Sequence, residues 1–146
     1  MTVTYQTERI DDCFDACLAL AREHHIELED EMFDPDVSMY RRMEAVGALQ
    51  LMVARQDEKP VGYCVVFVGP SHHHRGRVVG QGDIYYLAPS NRRGWVGVQL
   101  IRHSIEALKA RGVQHFRFMT SHEFDTGPIL RYLGFRPTGT IYSMGP

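Results

Sequence analysis

The chain has 146 residues, of which 44% are hydrophobic and 23% charged, so residues 1–146 suffice for one globular domain with its own core. No run approaches the roughly 18 apolar residues of a membrane-spanning helix, and the N-terminus lacks the basic and apolar regions of a signal peptide. Three cysteines give no disulfide framework. These features predict a soluble, cytoplasmic protein that does not attach to a membrane.

The charges are unevenly distributed, although the net charge is only −2. Residues 1–48 carry twelve acidic and four basic side chains, whereas residues 49–146 carry six acidic and twelve basic ones. Domains that bind nucleic acids usually carry a basic excess along one face, so the near-neutral balance disfavours a nucleic-acid partner. The acidic part suits a cationic ligand and the basic part an anionic one.

The first half of the chain alternates between the hydrophobic periods of strands and helices. Its pattern predicts a strand over Val3–Tyr5, an amphipathic helix over 8–23 and a second helix that Asp36 caps. Two strand-like runs, 49–54 and 61–68, are separated by a polar segment with a proline. This arrangement predicts a β-hairpin.

The second half continues with single strands and helices in alternation. The predicted elements are a strand over 82–87, a long helix over 94–111, a strand over 115–119, a short helix over 125–133 and a last strand over 138–143. Strands that alternate with helices in this order predict an α/β fold, in which helices flank a mixed central sheet.

The segment from Ile84 to Ile101 combines a strand, an arginine-rich turn and the start of the long helix. Backbone N–H groups at a helix start are unpaired and lie at the positive end of the dipole, so they attract anions. Gly94 and Gly97 would let the backbone approach a phosphate, and neighbouring arginines add charge. A helix cap with surface arginines fits the same pattern, so the local pattern leaves both interpretations open.

The wider context resembles the GCN5-related N-acetyltransferase (GNAT) family. Its signature is a strand that ends in a Val-x-Pro step, followed by Arg/Gln-x-x-Gly-x-Gly/Ala at the start of a long helix. Leu87-Ala88-Pro89 and Arg92-Arg93-Gly94-Trp95-Val96-Gly97 occupy these places. Pro60-Val61-Gly62-Tyr63 is similar to the strand before the signature, and Leu133-Gly134-Phe135 to the helix end after it. Within the family, the chain most resembles small proteins of tailed phages and prophages.

The resemblance implies a single-domain GNAT fold in which acetyl-coenzyme A (acetyl-CoA) lies where two parallel strands splay apart. It implies that the backbone of Leu87 pairs with the pantetheine arm and that the N–H groups of residues 93–98 hold the pyrophosphate. The residues expected to bind the cofactor are Tyr86, Leu87, Arg92, Arg93, Gly94, Trp95, Val96, Gly97 and Val98.

The implied activity is transfer of an acetyl group from acetyl-CoA to a primary amine, directly within a ternary complex and without a metal. A small molecule, a protein lysine or a protein N-terminus could supply the amine. The acidic residues Glu27, Glu29, Glu31 and Asp34 border the implied acceptor site, which predicts a cationic acceptor. No feature of the sequence decides between a monomer and a homodimer.

Two positions depart from the family pattern. Trp95 stands where the signature has glycine, and Leu130 stands where many members place a tyrosine that protonates the departing thiolate. These departures keep a second hypothesis open, in which the fold has lost catalysis and serves as a CoA-binding or protein-interaction module.

Five residues are candidates for proton transfer. Asp83, at the start of the signature strand, is the preferred general base, with Glu123 and His122 as alternatives. Tyr132 and Tyr142 are the candidate general acids. Each also has a plain structural interpretation, since Asp83 fits an exposed strand-end carboxylate and Tyr132 a core aromatic with its hydroxyl at the edge.

Overall fold

The computed structural model describes residues 2–146. Its elements are β1 (Val3–Thr7), α1 (Ile10–Glu27), α2 (Val37–Ala45), β2 (Leu49–Gln56), β3 (Lys59–Pro70), β4 (Val78–Leu87), a 3₁₀ turn (Pro89–Asn91), α3 (Val96–Ala110), β5 (His115–Arg117) and α4 (Gly127–Tyr132). The five strands form one sheet in the order β1-β2-β3-β4-β5. The pairs β1–β2, β2–β3 and β3–β4 are antiparallel, whereas β4 and β5 are parallel, which confirms the predicted mixed α/β sheet.

Helices cover both faces of this sheet, because successive strand residues point to opposite sides. On one face, Leu100 and Leu108 of α3 pack with Cys64 and Val66 of β3. On the other face, Cys13 and Leu20 of α1 pack with β2, β3 and β4, and α2 closes the edge of this layer. Asp36 caps α2 as predicted, since its side chain accepts a 2.9 Å hydrogen bond from the Met39 N–H.

The parallel strands β4 and β5 part after a short contact. They pair only from Val79 with His115 to Gln81 with Arg117, and β4 then continues to Leu87 without β5 beside it. A Cβ atom on Gly82 would lie 2.6 Å from Cδ1 of Phe118, so glycine is needed where Phe118 passes this strand. The strands therefore splay and leave the later part of β4 with a free edge.

The predicted last strand over 138–143 is wrong. Residues 138–146 have no regular secondary structure, and Tyr142 is 92% exposed. The alternating pattern is present, but β5 has three residues rather than the predicted five and offers this segment a short edge. No backbone hydrogen bond joins residues 138–146 to the rest of the described chain.

No helix within residues 2–146 has the length and hydrophobicity needed to cross a membrane.

Candidate active site

The turn between β4 and α3 presents unpaired backbone donors. Gly94 has φ +82°, a conformation that glycine adopts without strain, and α3 begins two residues later. Across residues 2–146, no backbone or side-chain acceptor takes a hydrogen bond from the N–H groups of residues 93–98. Six successive donors therefore remain available at the positive end of α3, which is the arrangement that binds anions.

Gly97 has a different role from the one that its sequence position indicates. A Cβ atom there would lie 2.6 Å from the Tyr85 hydroxyl oxygen and 3.2 Å from Cδ1 of Ile129. The position of its missing side chain is therefore filled by β4 and α4. Gly97 lets α3 pack closely on the sheet, and only its N–H is left for a ligand.

Three other buried residues of the predicted cofactor set can also contribute main-chain groups alone. Tyr86 is 4% exposed and packs in the layer beneath α1, and Val98 is buried in the first turn of α3. Leu87 is buried as well, at the end of the free edge of β4. Their side chains belong to the core.

Trp95 replaces the signature glycine with a large exposed ring. It is 59% exposed, and its ring centroid lies 5.2 Å from that of Tyr132 on α4. The structure thus brings Tyr132, the candidate acid, close to the turn between β4 and α3.

Arg92 joins the end of β4 to the end of α1. Its Nη1 and Nη2 atoms donate to the two carboxylate oxygens of Glu27, at 2.6 and 2.7 Å, and its Nε donates to the Leu87 carbonyl at 2.8 Å. The Tyr86 hydroxyl also donates to Glu27, at 3.2 Å. Sequence reasoning missed this bidentate pair, because the partners are 65 residues apart. Arg93 has no ion pair within the described chain.

Asp83 lies inside β4, at a β-bulge, rather than at the start of the strand. Val65 pairs with Ile84 and Val66 with Gly82, so Asp83 is the extra residue. The bulge places its carboxylate beside α2, where the Tyr40 hydroxyl donates to Oδ2 at 3.0 Å. Burial raises the pKa of Asp83, and the hydrogen bond from Tyr40 offsets part of that rise. A carboxylate in this setting is a stronger base than an ordinary surface aspartate.

The other two candidate bases lie elsewhere. His122 and Glu123 are exposed in the loop between β5 and α4, and neither makes a side-chain hydrogen bond within residues 2–146. The Thr120 hydroxyl orders this loop by accepting a 2.7 Å hydrogen bond from the Thr126 N–H. Among the described residues, no hydrogen bond or ion pair connects His122 or Glu123 to Asp83.

A histidine that the sequence did not single out for catalysis lies on the same face as Asp83. His24 stacks on Tyr86, with ring centroids 4.5 Å apart, and its Nδ1 lies 3.0 Å from the Tyr63 hydroxyl. Burial, aided by His25, lowers the pKa of His24 to about 4, so the ring is neutral at physiological pH. No cluster of three or more metal-binding side chains occurs in residues 2–146.

The acidic segment around the α1–α2 connection is partly neutralised. Arg92 holds the pKa of Glu27 below its usual range, so this carboxylate is ionised but paired. Asp30 lies 2.9 Å from Nδ1 of His25. Glu29, Glu31 and Asp34 form no ion pair within the described part of the chain and carry the remaining negative charge.

Comparisons with known proteins agree on the fold. The structure is similar to an aminoglycoside acetyltransferase, HMB0005, from an uncultured soil metagenomic sample, with a TM-score of 0.78, 16% identity and coverage of 100% and 99% of the two chains. It is also similar to the ribosomal-protein-alanine N-acetyltransferase of Brucella melitensis biovar Abortus 2308, with a TM-score of 0.76, 17% identity and 99% coverage of both chains.

A third similar structure contains the expected cosubstrate. It is a predicted acetyltransferase from Clostridium acetobutylicum with acetyl-CoA, with a TM-score of 0.73, 14% identity and coverage of 99% and 96% of the two chains. The sequence matches no curated protein at a significant level. It does match the model of the acetyltransferase (GNAT) domain over residues 1–126. The chain therefore belongs to the GNAT acetyltransferase family, whose members are acetyl-CoA-dependent N-acetyltransferases.

Proposed function

We propose that the protein transfers the acetyl group of acetyl-CoA directly to a primary amine in a ternary complex, with Asp83 as the proton acceptor. One observation carries this proposal. The bulge in β4 places the Asp83 carboxylate, which accepts a hydrogen bond from Tyr40 and has a raised pKa, on the strand whose end leads into the six free N–H groups of residues 93–98. An anion-binding turn and a base thus lie along one strand.

The residues present fit acetyl-CoA. The N–H groups of residues 93–98 suit the pyrophosphate, and the positive charge of Arg93 adds to the helix dipole. The free edge of β4 beyond Gln81 offers backbone donors and acceptors to the amide groups of a pantetheine arm. Asp83 precedes Leu87 by four residues, or about 13 Å of extended strand. Acetyl-CoA that lies along this strand would therefore reach from the anion-binding turn to the carboxylate of Asp83.

Bound acetyl-CoA supplies a thioester, whose carbonyl carbon forms the new bond to the amine nitrogen as the bond to sulfur breaks. Asp83 takes the proton that the amine must lose, either directly or through a water molecule. Tyr40 donates to the carboxylate and holds it in place. Tyr132, whose ring centroid lies 5.2 Å from that of Trp95 beside the turn, is the proposed donor of a proton to the departing sulfur.

The acceptor class is a primary amine. Two structurally similar proteins are named for aminoglycosides and for ribosomal-protein alanine, both of which bear amines. The unpaired carboxylates of Glu29, Glu31 and Asp34 would attract an amine in its ammonium form.

The experiment that tests this proposal is turnover of acetyl-CoA with a panel of primary amines. Release of free thiol and formation of the amide, which mass spectrometry detects, should depend on both the protein and the amine. Calorimetric titration with acetyl-CoA measures binding of the cosubstrate independently of turnover. Tight binding of acetyl-CoA without acetylation of any amine would instead support the alternative, a CoA-binding or protein-interaction module.

A further inference from the structure

An apolar cavity of about 120 Å³ lies between α1, α2 and the sheet, on the same face as Asp83. Phe14 and Leu18 of α1, Phe33 of the α1–α2 connection and Ile84 of β4 are among its walls. Phe14, Phe33 and Ile84 are only half-buried, so the cavity opens to solvent. None of the acidic residues of the α1–α2 connection lines it.

The cavity offers almost no polar group to an occupant. Its lining includes two hydroxyls and two thiols as the only polar side-chain atoms, and both hydroxyls are already engaged. The Tyr40 hydroxyl donates to Asp83 at 3.0 Å, and the Tyr63 hydroxyl is paired with His24 at 3.0 Å. Water gains little in such a space, whereas an apolar group gains the free energy of leaving water.

Tyr40 links this cavity to the proposed base. Its ring forms part of the wall, and its hydroxyl contacts the Asp83 carboxylate. Asp83 and Ile84 are adjacent in β4, and the bulge places both side chains on this face of the sheet. A molecule with its apolar end in the cavity would therefore have its polar end near Asp83.

From this arrangement we infer that the acceptor is a monoamine whose ammonium group lies at Asp83 and whose compact apolar group fills the cavity. The inference rests on the proposed function and narrows its acceptor. Apolar cavities of about 150 Å³ stay dry and bind benzene, so the volume here fits a group of about five or six carbon atoms. A second ammonium group at the far end would have to lose its hydration inside the cavity.

The direct test compares three amines as acetyl acceptors: ethylamine, hexylamine and 1,6-diaminohexane. Burial of each methylene group favours binding about fourfold, so kcat/KM for hexylamine should exceed that for ethylamine on the order of 100-fold. 1,6-Diaminohexane has the same chain length but ends in a charge, and it should react no better than ethylamine. Equal kcat/KM values for hexylamine and 1,6-diaminohexane would overturn the inference.

A matched pair of variants assigns the preference to this cavity. Ala21 lines the cavity, whereas Ala19 lies on the exposed side of the same helix. Ala21→Leu should reduce the ratio of kcat/KM for hexylamine to that for ethylamine at least tenfold, and Ala19→Leu should leave it as in the wild type. Leu18→Ala enlarges the cavity and should shift the preference towards octylamine. An unchanged ratio in Ala21→Leu and an unchanged preference in Leu18→Ala would contradict the inference.

Calorimetry separates a failure of this inference from a failure of the proposed function. In the presence of CoA, hexylamine should bind at least tenfold more tightly than 1,6-diaminohexane, whether or not acetylation occurs. If no amine is acetylated but this difference in affinity is found, the proposed function is wrong, although the cavity still selects an apolar monoamine as its ligand. Equal affinities would overturn the cavity inference alone.

The apolar group can belong to a free amine or to the first residue of a peptide. The peptides Leu-Gly-Gly and Ser-Gly-Gly distinguish these two sources. If the natural acceptor is a peptide N-terminus, Leu-Gly-Gly should react at least tenfold faster than Ser-Gly-Gly. If it is a free amine, hexylamine should react and neither peptide should. A preference for Ser-Gly-Gly would contradict an apolar group in either source.

Discussion

Asp83 faces Tyr40 because β4 carries one residue more than the part of β3 with which it pairs. The sequence identified Asp83 as a candidate base from its acidic side chain near the signature strand. It did not identify the bulge or Tyr40. The hydrogen bond between Tyr40 and Asp83 joins residues 43 positions apart, and no local sequence pattern indicates it. Residue type was thus predictable, whereas the environment that changes its chemistry depends on tertiary packing.

Replacement of Asp83 tests its role as the base. Asp83→Asn keeps the shape of the side chain and an oxygen that can accept from Tyr40, but it removes the basic carboxylate. We expect kcat/KM to fall roughly 100-fold with little change in acetyl-CoA affinity, as measured by initial rates and calorimetry. Glu123→Gln is the matched control at the alternative candidate, and it should stay within about twofold of the wild type. The reverse result would assign the proton transfer to Glu123.

Removal of the Tyr40 hydroxyl should alter the pH dependence of the reaction. The base acts when it is ionised, so activity falls as the pH drops through the pKa of Asp83. The hydrogen bond from Tyr40 lowers that pKa, and Tyr40→Phe should therefore move the acidic limb of the kcat/KM profile to higher pH. Tyr142→Phe, at an exposed tyrosine, should leave the limb in place. A limb that stays in place or moves to lower pH in Tyr40→Phe would contradict this account of Asp83.

The turn and helix α3 form the element that the sequence predicted best. The strand, the turn and the amphipathic helix were all expected, because hydrophobic period, proline and glycine mark them locally. Gly94 and Gly97 were given one common role, close approach to a phosphate. The structure divides these roles, since Gly94 has positive φ and open space around it, whereas Gly97 packs against Tyr85. Sequence spacing does not show which glycine faces the core.

A charge introduced at Gly94 tests the anion site without disturbing the core. Nothing lies within 4 Å of a Cβ atom at Gly94, and both asparagine and aspartate tolerate its positive φ better than most residues. Gly94→Asp and Gly94→Asn have the same shape and differ in charge. We expect acetyl-CoA to bind at least tenfold more weakly to Gly94→Asp than to Gly94→Asn, a difference of about 1.4 kcal/mol. Equal affinities in calorimetric titration would place the pyrophosphate elsewhere.

The last strand shows where local pattern fails at the scale of an element. Residues 138–143 alternate as a strand does, but a strand also needs a partner for its backbone groups. β5 ends after Arg117, and the segment remains exposed.

The end of α4 does follow the family pattern seen in Leu133-Gly134-Phe135. Gly134 ends the helix with φ +95°, and the Phe135 N–H donates to the Leu130 carbonyl at 2.9 Å.

For the whole molecule, the uneven charge distribution follows the two faces of the sheet. The acidic residues 1–48 supply α1 and α2 on one face, and the basic remainder supplies α3 on the other. The sequence alone shows this division of charge, and the family resemblance assigns the basic part to acetyl-CoA and the acidic part to the amine acceptor. The resemblance to small proteins of tailed phages and prophages stays a prediction.

Neutralisation of the unpaired carboxylates tests whether charge steers the acceptor. Glu27 is excluded from this set because Arg92 already pairs with it. We expect the combined variant Glu29→Gln, Glu31→Gln, Asp34→Asn to lower kcat/KM for an amine acceptor severalfold at low salt and less at moderate salt, because ions screen exposed charges. Acetyl-CoA affinity serves as the control and should not change. A loss that is independent of salt would assign these residues another role.

Initial rates of thiol release over a matrix of acetyl-CoA and hexylamine concentrations test the central claim, direct transfer in a ternary complex, most directly. Both substrates must be bound together when Asp83 removes the amine proton, so reciprocal plots at several fixed amine concentrations should give lines that intersect. Parallel lines would show that the acetyl group first passes to the protein and would contradict direct transfer.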